Sequence, residues 1–186
     1  MNTITTNVHF VIDFDSTFTQ VEALDILGEI ALTGHPQKVE RLQKIKEVTD
    51  LGMAGELSLR ESLEARIRLL DARREHLDEL VTRLKKLVSR SVSRNKHFFE
   101  QYADRTYIVS NGFKEFIVPV VTGLGIKAEH VFANDFVFDA SGNITDFNRQ
   151  NVLSSNGGKV KQIEQLRLEG EIHMIGDGYT DYEVKK

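Results

Sequence analysis

The sequence predicts an α/β fold in which helices flank a parallel sheet and a helical segment is inserted after the first strand. Short apolar runs end abruptly in polar residues, a helical period occupies 21–88, and strand and helix patterns alternate from about residue 98 onward. This alternation is typical of a parallel sheet covered by helices. The 186 residues suit one ordinary domain or a core domain with a small insertion.

The first predicted strand is the mostly apolar, β-rich run Val8 to Ile12. It is followed directly by the polar segment Asp13-Phe-Asp-Ser-Thr17. A short apolar run that ends this sharply is typical of a buried strand followed by a polar loop. We therefore expect the side chains after Ile12 to lie at the carboxyl edge of the sheet.

Four helices are predicted between this strand and the rest of the sheet. Gly34 and Pro36 separate the first two, and the segment 52–55 separates the second from the third. Apolar residues recur at helical spacing in each helix, for example Leu59, Leu63, Ile67 and Leu70 in the third. We expect a compact helical unit at 19–94 and an α/β core formed by 1–18 and 95–186.

The remaining elements alternate between strand and helix. In chain order they are a strand at 105–110, a helix at 115–124, a hairpin formed by 131–138 and 143–147, a helix at 159–168 and a strand at 171–175. A doubly wound sheet normally continues with a further helix and strand. We therefore expect the core to be incomplete at its C-terminal end, with Lys186 followed by more chain.

Composition excludes several classes of protein. The absence of cysteine rules out a disulfide framework, a thiolate zinc site and a cysteine nucleophile. A formal net charge of −4, from 24 basic and 28 acidic side chains, disfavours nucleic acid or an anionic membrane as a partner. The polar start, Met1 to Asn7, resembles no signal peptide, and no apolar run approaches ~20 residues. We expect a cytoplasmic protein; the oligomeric state stays open.

Acidic and hydroxyl side chains follow three of the predicted strands. They are Asp13 and Asp15, then Ser110, then Asp177 and Asp181. Parallel neighbouring strands bring such groups to one spot, where carboxylates repel one another unless a cation neutralises them. Oxygen ligands alone favour Mg²⁺. Of Asp13 and Asp15, we expect one to be metal ligand and nucleophile and the other to handle protons.

Four motifs in this order resemble the haloacid dehalogenase (HAD) superfamily, and within it the phosphoserine phosphatase family. They are Asp13-Phe-Asp-Ser-Thr17, Ser110-Asn-Gly-Phe113, the lysine in Gly157-Gly-Lys-Val160, and Gly176-Asp-Gly-Tyr-Thr-Asp-Tyr-Glu183. The four predicted helices match the small helical cap of that family. The resemblance covers nearly the whole chain and implies a Rossmann-like HAD core with the cap inserted after the first strand.

The resemblance implies covalent phosphoryl transfer. Asp13 corresponds to the nucleophile that forms an aspartyl-phosphate, and Asp15 to the general acid and then the general base. Mg²⁺ is the implied cofactor, held by Asp13, by the backbone carbonyl of Asp15 and by Asp177. Asp181 would support those ligands from behind.

The resemblance also implies how the phosphoryl group is held. The substrate-binding residues it assigns at the phosphate are Ser110, Asn111, Gly112, Lys159 and Thr180, together with backbone N–H groups near Phe14 and Asp15. A lysine at this place supplies a point charge for the phosphoryl oxygens.

Substrate choice is expected to lie in the helical cap. By the resemblance, Glu22 faces a substrate ammonium, Arg66 clamps a carboxylate and Met53 lies near the substrate. The residue types alone leave two alternatives: Glu22 as a favourable charge at a helix N-terminus, and Arg66 as a surface ion-pair partner. Leu59 stands where the family has an aromatic residue, and Asn111 where it has a glycine, so the pocket departs from the family pattern.

The function that the resemblance implies is Mg²⁺-dependent hydrolysis of a small phosphorylated metabolite, with O-phosphoserine as the expected amino-acid phosphate. Two alternatives remain open at this point. One is a phosphatase for another small phosphometabolite. The other is a regulatory or sensing HAD domain of a larger polypeptide that binds without turnover.

Overall fold

A computed structural model describes residues 7–185 of the chain. The prediction that no signal peptide is present rests on Met1 to Asn7, of which all but the last residue lie outside the described part. The expected truncation at Lys186 lies outside it as well. Between residues 7 and 185, no helix is both long and apolar enough to cross a membrane.

Six strands and nine α-helices make up the described part of the chain. The strands are β1 (Val8–Ile12), β2 (Thr106–Phe113), β3 (Val131–Asn134), β4 (Phe136–Phe138), β5 (Ile144–Phe147) and β6 (Glu171–Ile175). The helices are α1 (Ala23–Ala31), α2 (Lys38–Met53), α3 (Leu59–Leu70), α4 (His76–Lys86), α5 (Arg90–Arg94), α6 (Lys96–Gln101), α7 (Lys114–Val121), α8 (Gly158–Leu166) and α9 (Tyr179–Tyr182).

The main sheet has four parallel strands in the order β3-β2-β1-β6. The predicted α/β class, with helices flanking a parallel sheet, is confirmed. β1 lies between β2 and β6, so the carboxyl ends of these three strands are neighbours. Val11, Ile108 and Val109 are fully buried, which explains why β1 and β2 are recognisable as apolar runs.

The predicted hairpin is wrong in its first strand. Instead of one strand over 131–138, the chain divides at Asp135: β3 joins the parallel sheet, and β4 pairs antiparallel with β5. Asp135 marks the division because its carboxylate binds Lys114 at 3.1 Å. Its backbone carbonyl accepts the N–H of Asn148 at 2.9 Å. The polar pair Asn134-Asp135 interrupts the apolar residues at this point, but it does not show that the two halves join different sheets.

Four helices, α1–α4, follow the first strand. α1 packs against each of the other three, and α4 also packs against α7 of the core. Leu27, Leu70, Leu80 and Leu84 are fully buried and belong to the same apolar cluster as the inner face of the sheet. The helices therefore share a hydrophobic core with the α/β part of the molecule.

The N-terminus of α3 is capped by side chains. Ser58 accepts the backbone N–H of Glu61, and the Glu61 carboxylate accepts the backbone N–H of Ser58 at 2.9 Å. This reciprocal capping satisfies two N–H groups that a helix start leaves free. It fixes where α3 begins, and Leu59 and Arg66 both lie on this helix.

Candidate active site

The chain turns sharply where β1 ends. Asp13 is 8% exposed, and its Oδ1 accepts the backbone N–H of Phe14 at 2.7 Å. Ser16, with φ of 55°, adopts a left-handed conformation that is uncommon for a residue with a side chain. The turn closes when the N–H of Thr19 donates to the carbonyl of Phe14 at 2.9 Å. Asp13 and Asp15 are thereby placed at the carboxyl edge of the sheet, as predicted.

Lys159 lies between two carboxylates at this edge. Its Nζ is 2.9 Å from Oδ2 of Asp13 and 2.6 Å from Oδ1 of Asp181. Burial opposes the charge on the lysine, but attraction to both carboxylates outweighs burial and raises the pKa of Lys159. The residue is 2% exposed and charged, so its ammonium is an internal cation at the end of β1.

The carboxyl group of Asp13 has a raised pKa. Burial raises the pKa of Asp13 to about 7; Lys159 opposes the rise, and Asp181 adds to it. Two carboxylates, those of Asp13 and Asp181, contact the single ammonium of Lys159, so the lysine does not neutralise the negative charge of the site. An additional cation at this edge would lower the free energy of the ionised form.

Three carboxylates form a group with the spacing of a metal site. Ligand oxygens of Asp13, Asp177 and Asp181 all lie within 4.8 Å of one another. Asp181 is buried, whereas Asp177 is exposed and accepts the hydroxyl of Thr17 at 2.7 Å. All three ligands are hard oxygen donors, which suits Mg²⁺. The sequence prediction named Asp13, the backbone carbonyl of Asp15 and Asp177 as direct ligands, with Asp181 behind them. The structure brings a carboxylate oxygen of Asp181 into the group as well.

The fourth motif requires glycine for steric reasons. A Cβ on Gly176 would lie 2.2 Å from Cγ of Asp181, so a side chain there would displace that carboxylate. The other oxygen of Asp181 accepts the N–H of Gly178 at 3.1 Å. The Gly-Asp-Gly sequence therefore lets the chain double back closely enough for Asp181 to reach Lys159.

Asp15 faces a different side of the site from the three-carboxylate group. Its Oδ1 accepts the N–H of Ala23 at 2.7 Å, at the start of α1. Its Oδ2 lies 2.9 Å from the position that a Cβ on Gly112 would take. Burial and the nearby Glu22 raise the pKa of Asp15 well above its usual range. This carboxyl group therefore favours the protonated form that can donate a proton.

The end of β2 carries the second motif. The register of β2 against β3 shifts between Val109 and Phe113, so the strand bulges there. Ser110 is 1% exposed, and its Oγ accepts the N–H of Gly112 at 2.9 Å. The Asn111 side chain is tied down by donating to the carbonyl of Leu153 at 2.8 Å.

A cavity of about 410 Å³ joins these groups to the helical segment. Every residue that the sequence analysis singled out as a site residue lines it, with the exception of Asp181. The lining residues from the core include Asp13, Asp15, Ser110, Asn111, Gly112, Lys159, Asp177 and Thr180, and those from the helical segment include Glu22, Met53, Leu59 and Arg66. The carboxylates at the sheet and the residues of the helical segment therefore share one chamber.

Arg66 is a buried cation that points to this chamber. It is 8% exposed, and its Nε donates to the carbonyl of Ser62 at 3.4 Å. Burial lowers its pKa, while Glu22, Asp25 and Asp15 act in the opposite sense. Within residues 7–185 no ion pair joins its guanidinium to a carboxylate, so the surface ion-pair alternative for Arg66 does not hold.

Glu22 and Met53 lie at the wall of the chamber. Glu22 immediately precedes α1, yet its side chain caps no helical N–H group. Its carboxylate instead accepts the hydroxyl of Ser16 at 2.7 Å, and burial raises the pKa of Glu22. Met53, at the end of α2, is 63% exposed, so it reaches the chamber from its rim.

The start of α3 is tied to the loop that precedes Lys159. The N–H of Leu59 donates to Oδ1 of Asn156 at 2.8 Å. Arg60 donates to the Ser155 hydroxyl at 2.9 Å and to the carbonyl of Arg149 at 3.0 Å. The helical segment is therefore in direct contact with the core at this loop.

Sequence reasoning did not assign roles to Ser16, Thr17 and Asn156. Ser16 holds Glu22, Thr17 holds Asp177, and Asn156 holds the first N–H of α3. Ser16 and Thr17 could have been identified from the sequence, since they belong to the first motif. The contact made by Asn156 joins residues 97 positions apart, and no local pattern reveals it.

Comparison with known proteins gives a consistent family. A family model described as haloacid dehalogenase-like hydrolase matches residues 10–185. The chloroplastic phosphoserine phosphatase of Arabidopsis thaliana is 34% identical over 181 residues, which cover 94% of this chain and 57% of that protein. The Drosophila melanogaster phosphoserine phosphatase is 29% identical, and the match covers 62% of that protein. The chain thus spans less than two thirds of the length of these two relatives.

Other relatives are covered more fully. Human phosphoserine phosphatase is 31% identical over 183 residues, which cover 92% of this chain and 74% of that protein. The crystal structure of a phosphoserine phosphohydrolase-like protein from Francisella tularensis superposes with a TM-score of 0.81 at 27% identity, covering 95% of this chain and 81% of that one. A substrate-bound phosphoserine phosphatase has a TM-score of 0.67 at 21% identity, covers 87% and 70% of the two chains, and shows the shared fold.

Proposed function

The chain belongs to the haloacid dehalogenase-like hydrolase family, and on this premise we propose that it is a Mg²⁺-dependent phosphomonoesterase that converts O-phosphoserine to serine and phosphate. The observation that carries the proposal is one chamber that holds a buried arginine, which no ion pair joins to a carboxylate within residues 7–185, a nearby glutamate, and the carboxylate pair Asp13 and Asp15. Phosphoserine presents a carboxylate, an ammonium and a phosphate, which match these three groups. Relatives named phosphoserine phosphatase support the same choice.

The first half of the reaction forms a covalent intermediate. A carboxylate oxygen of Asp13 attacks phosphorus, and the bond from phosphorus to the serine oxygen breaks. The leaving oxygen takes the proton of Asp15, whose raised pKa keeps that carboxyl group protonated. Lys159, 2.9 Å from Asp13, lies close enough to hold the phosphoryl oxygens as charge develops.

The second half releases phosphate. The ionised Asp15 takes a proton from water, and the water oxygen attacks phosphorus of the acyl phosphate. The bond between phosphorus and Asp13 breaks, so inorganic phosphate leaves and the Asp13 carboxylate is regenerated. Asp15 ends the cycle protonated, ready for the next substrate.

Asp13, Asp177 and Asp181 would hold the magnesium ion, together with the backbone carbonyl of Asp15. Their hard oxygen donors and mutual spacing fit the ion, and the single ammonium of Lys159 does not balance their negative charge. When bound, Mg²⁺ supplies the positive charge that lets a carboxylate approach a phosphate dianion.

Arg66 and Glu22 carry the choice of substrate in this proposal. Arg66 forms a bidentate contact with the substrate carboxylate, and Glu22 accepts from the ammonium. Leu59 lines the same chamber without an aromatic ring. We propose that the helical segment 19–94 acts as a cap that opens for exchange and closes to exclude water during the first step. A cytoplasmic location and the absence of nucleic-acid and membrane partners stay predictions.

A sensor without turnover is the competing function. Asp15 accepts the N–H of Ala23, and its raised pKa favours the protonated form. The presence of this proton donor favours an enzyme, because a sensor does not need one. The test is phosphate release from phosphoserine, phosphothreonine, phosphoethanolamine and 3-phosphoglycerate, with and without Mg²⁺. Preferred Mg²⁺-dependent release from phosphoserine is expected. Calorimetric binding of phosphoserine without release would favour the sensor, and preference for another substrate would overturn the assignment of phosphoserine.

A further inference from the structure

Asn111 lines the chamber, and its side-chain amide donates to the carbonyl of Leu153. On the basis of the proposed function, we propose that Asn111 is a positioning residue for Lys159, acting through the turn Val152–Ser154. The side-chain amide fixes this turn, the turn fixes the start of α8, and the first residues of α8 place Lys159. This role would account for an asparagine at position 111, where the family pattern has a glycine.

The first link is a pair of amide hydrogen bonds to one carbonyl. Nδ2 of Asn111 donates to the carbonyl of Leu153 at 2.8 Å, and Nδ2 of Asn134 donates to the same carbonyl at 3.1 Å. Asn134 is fully buried, and its Nδ2 also donates to the carbonyl of Asn111 at 2.8 Å. All acceptors are carbonyl oxygens, so the amide groups must present their nitrogens. The ends of β2 and β3 are thereby joined to the turn.

The second link is a backbone contact between the turn and α8. A Cβ on Gly158 would lie 2.2 Å from the carbonyl oxygen of Val152 and 2.9 Å from Cα of Leu153. The N–H of Gly158 also donates to the carbonyl of Ser155 at 3.0 Å. The first residue of α8 is thus in direct contact with the turn that Asn111 holds, and Lys159 is the next residue.

The third link is the geometry of Lys159 itself. Its Nζ lies 2.9 Å from Asp13 and 2.6 Å from Asp181 in a buried setting, so a displaced backbone lengthens both contacts together. A shift of about 1 Å in a catalytic group can cost roughly 100-fold in rate. The Asn111 amide is therefore expected to act on the chemical step through Lys159, and to leave the recognition of the substrate carboxylate to Arg66.

Two substitutions of Asn111 test the proposal. Asn111→Gly removes the amide, and Asn111→Asp keeps the shape but turns a donor into an acceptor that faces the Leu153 carbonyl. Both should lower kcat by roughly 10- to 100-fold. The loss should be equal for phosphoserine and phosphoethanolamine, because both present the same phosphoryl group. A loss confined to phosphoserine would assign Asn111 to substrate choice and overturn the proposal.

A double-mutant cycle separates positioning from a general structural effect. In a Lys159→Ala background, Asn111→Gly should cost no more than about twofold, because its effect passes through the missing lysine. Losses that multiply would overturn the proposal. Asn143→Gly is the matched control: its side chain binds Asp139 in the hairpin turn, and the variant should keep wild-type activity. Thermal unfolding reports which variants are folded. If Asn111→Asp does not fold, the test is made with Asn111→Gly alone.

Crystal structures give a readout that does not depend on the substrate. In Asn111→Gly, the turn Val152–Ser154 and Nζ of Lys159 should move relative to Asp13. An unchanged lysine would overturn the positioning role even in an active enzyme. Absence of phosphate release from the wild-type protein would instead count against the proposed function, and the displacement of Lys159 would still decide the positioning role.

Discussion

Replacing Arg66 tests how the substrate is chosen. Arg66 is 8% exposed and feels the charges of Glu22, Asp25 and Asp15, but no ion pair joins it to a carboxylate among the described residues, so a bound substrate carboxylate would be its direct ion-pair partner. Truncating one partner of such a buried pair typically costs about 2–4 kcal/mol, or roughly 30- to 900-fold in kcat/KM. Arg66→Ala should show this loss with phosphoserine. It should leave phosphoethanolamine, which lacks the carboxylate, nearly unchanged.

The measurement is initial phosphate release with both substrates at saturating Mg²⁺, for Arg66→Ala, Arg66→Lys and Arg68→Ala. The lysine variant keeps the charge but loses the bidentate geometry, so we expect partial activity. Arg68, two residues along α3, has a side chain that is 78% exposed, and its alanine variant should behave as wild type. Equal losses with phosphoserine and phosphoethanolamine in Arg66→Ala would refute the carboxylate clamp and would indicate a structural role in the cap.

Three further predictions concern the chemistry at the sheet edge. Asp15→Asn should lower kcat by about 10²–10⁴-fold, measured as phosphate release, and near-native turnover would exclude Asp15 as the proton donor. Gly112→Ala should also lower kcat, because its Cβ would meet Oδ2 of Asp15 at 2.9 Å; an unaffected rate would show that the carboxyl group moves freely. Without metal, the folded state binds more protons at Asp13 than the unfolded state does between about pH 4 and 7, so the free energy of unfolding should fall as pH rises through this window. Denaturant titrations at several pH values should show that fall in the wild type and a weaker one in Asp13→Asn. If the free energy of unfolding depended equally on pH in both proteins, the raised pKa of Asp13 would be contradicted.

The convergence of the acidic side chains was predictable from the sequence. Asp13 follows one apolar run and Asp177 another, and parallel neighbours place the ends of their strands at one edge. That inference needs the order of apolar and polar residues together with the class of sheet. It does not need the positions of individual side chains, which is why it held.

The features that escaped prediction depend on long-range contacts and side-chain direction. Val131–Phe138 is apolar on both sides of Asn134-Asp135, and only tertiary pairing shows that the two halves join different sheets. Asn111 was identified as a departure from the family, but its sequence position does not show that its amide faces Leu153, 42 residues away. Likewise, the residue type of Arg66 leaves open whether it is a surface or a buried cation, and burial in the folded chain decides it.

The central claim is that Asp13 carries the phosphoryl group during turnover. The most direct measurement is an acid quench of the enzyme turning over phosphoserine with Mg²⁺, followed by digestion and mass spectrometry of the peptide that contains Asp13. The account predicts an added phosphoryl mass on Asp13 that is labile to hydroxylamine and absent from Asp13→Asn. Turnover with no acyl phosphate on Asp13 at any quench time, or an Asp13→Asn variant that keeps near-native release, would contradict the covalent mechanism.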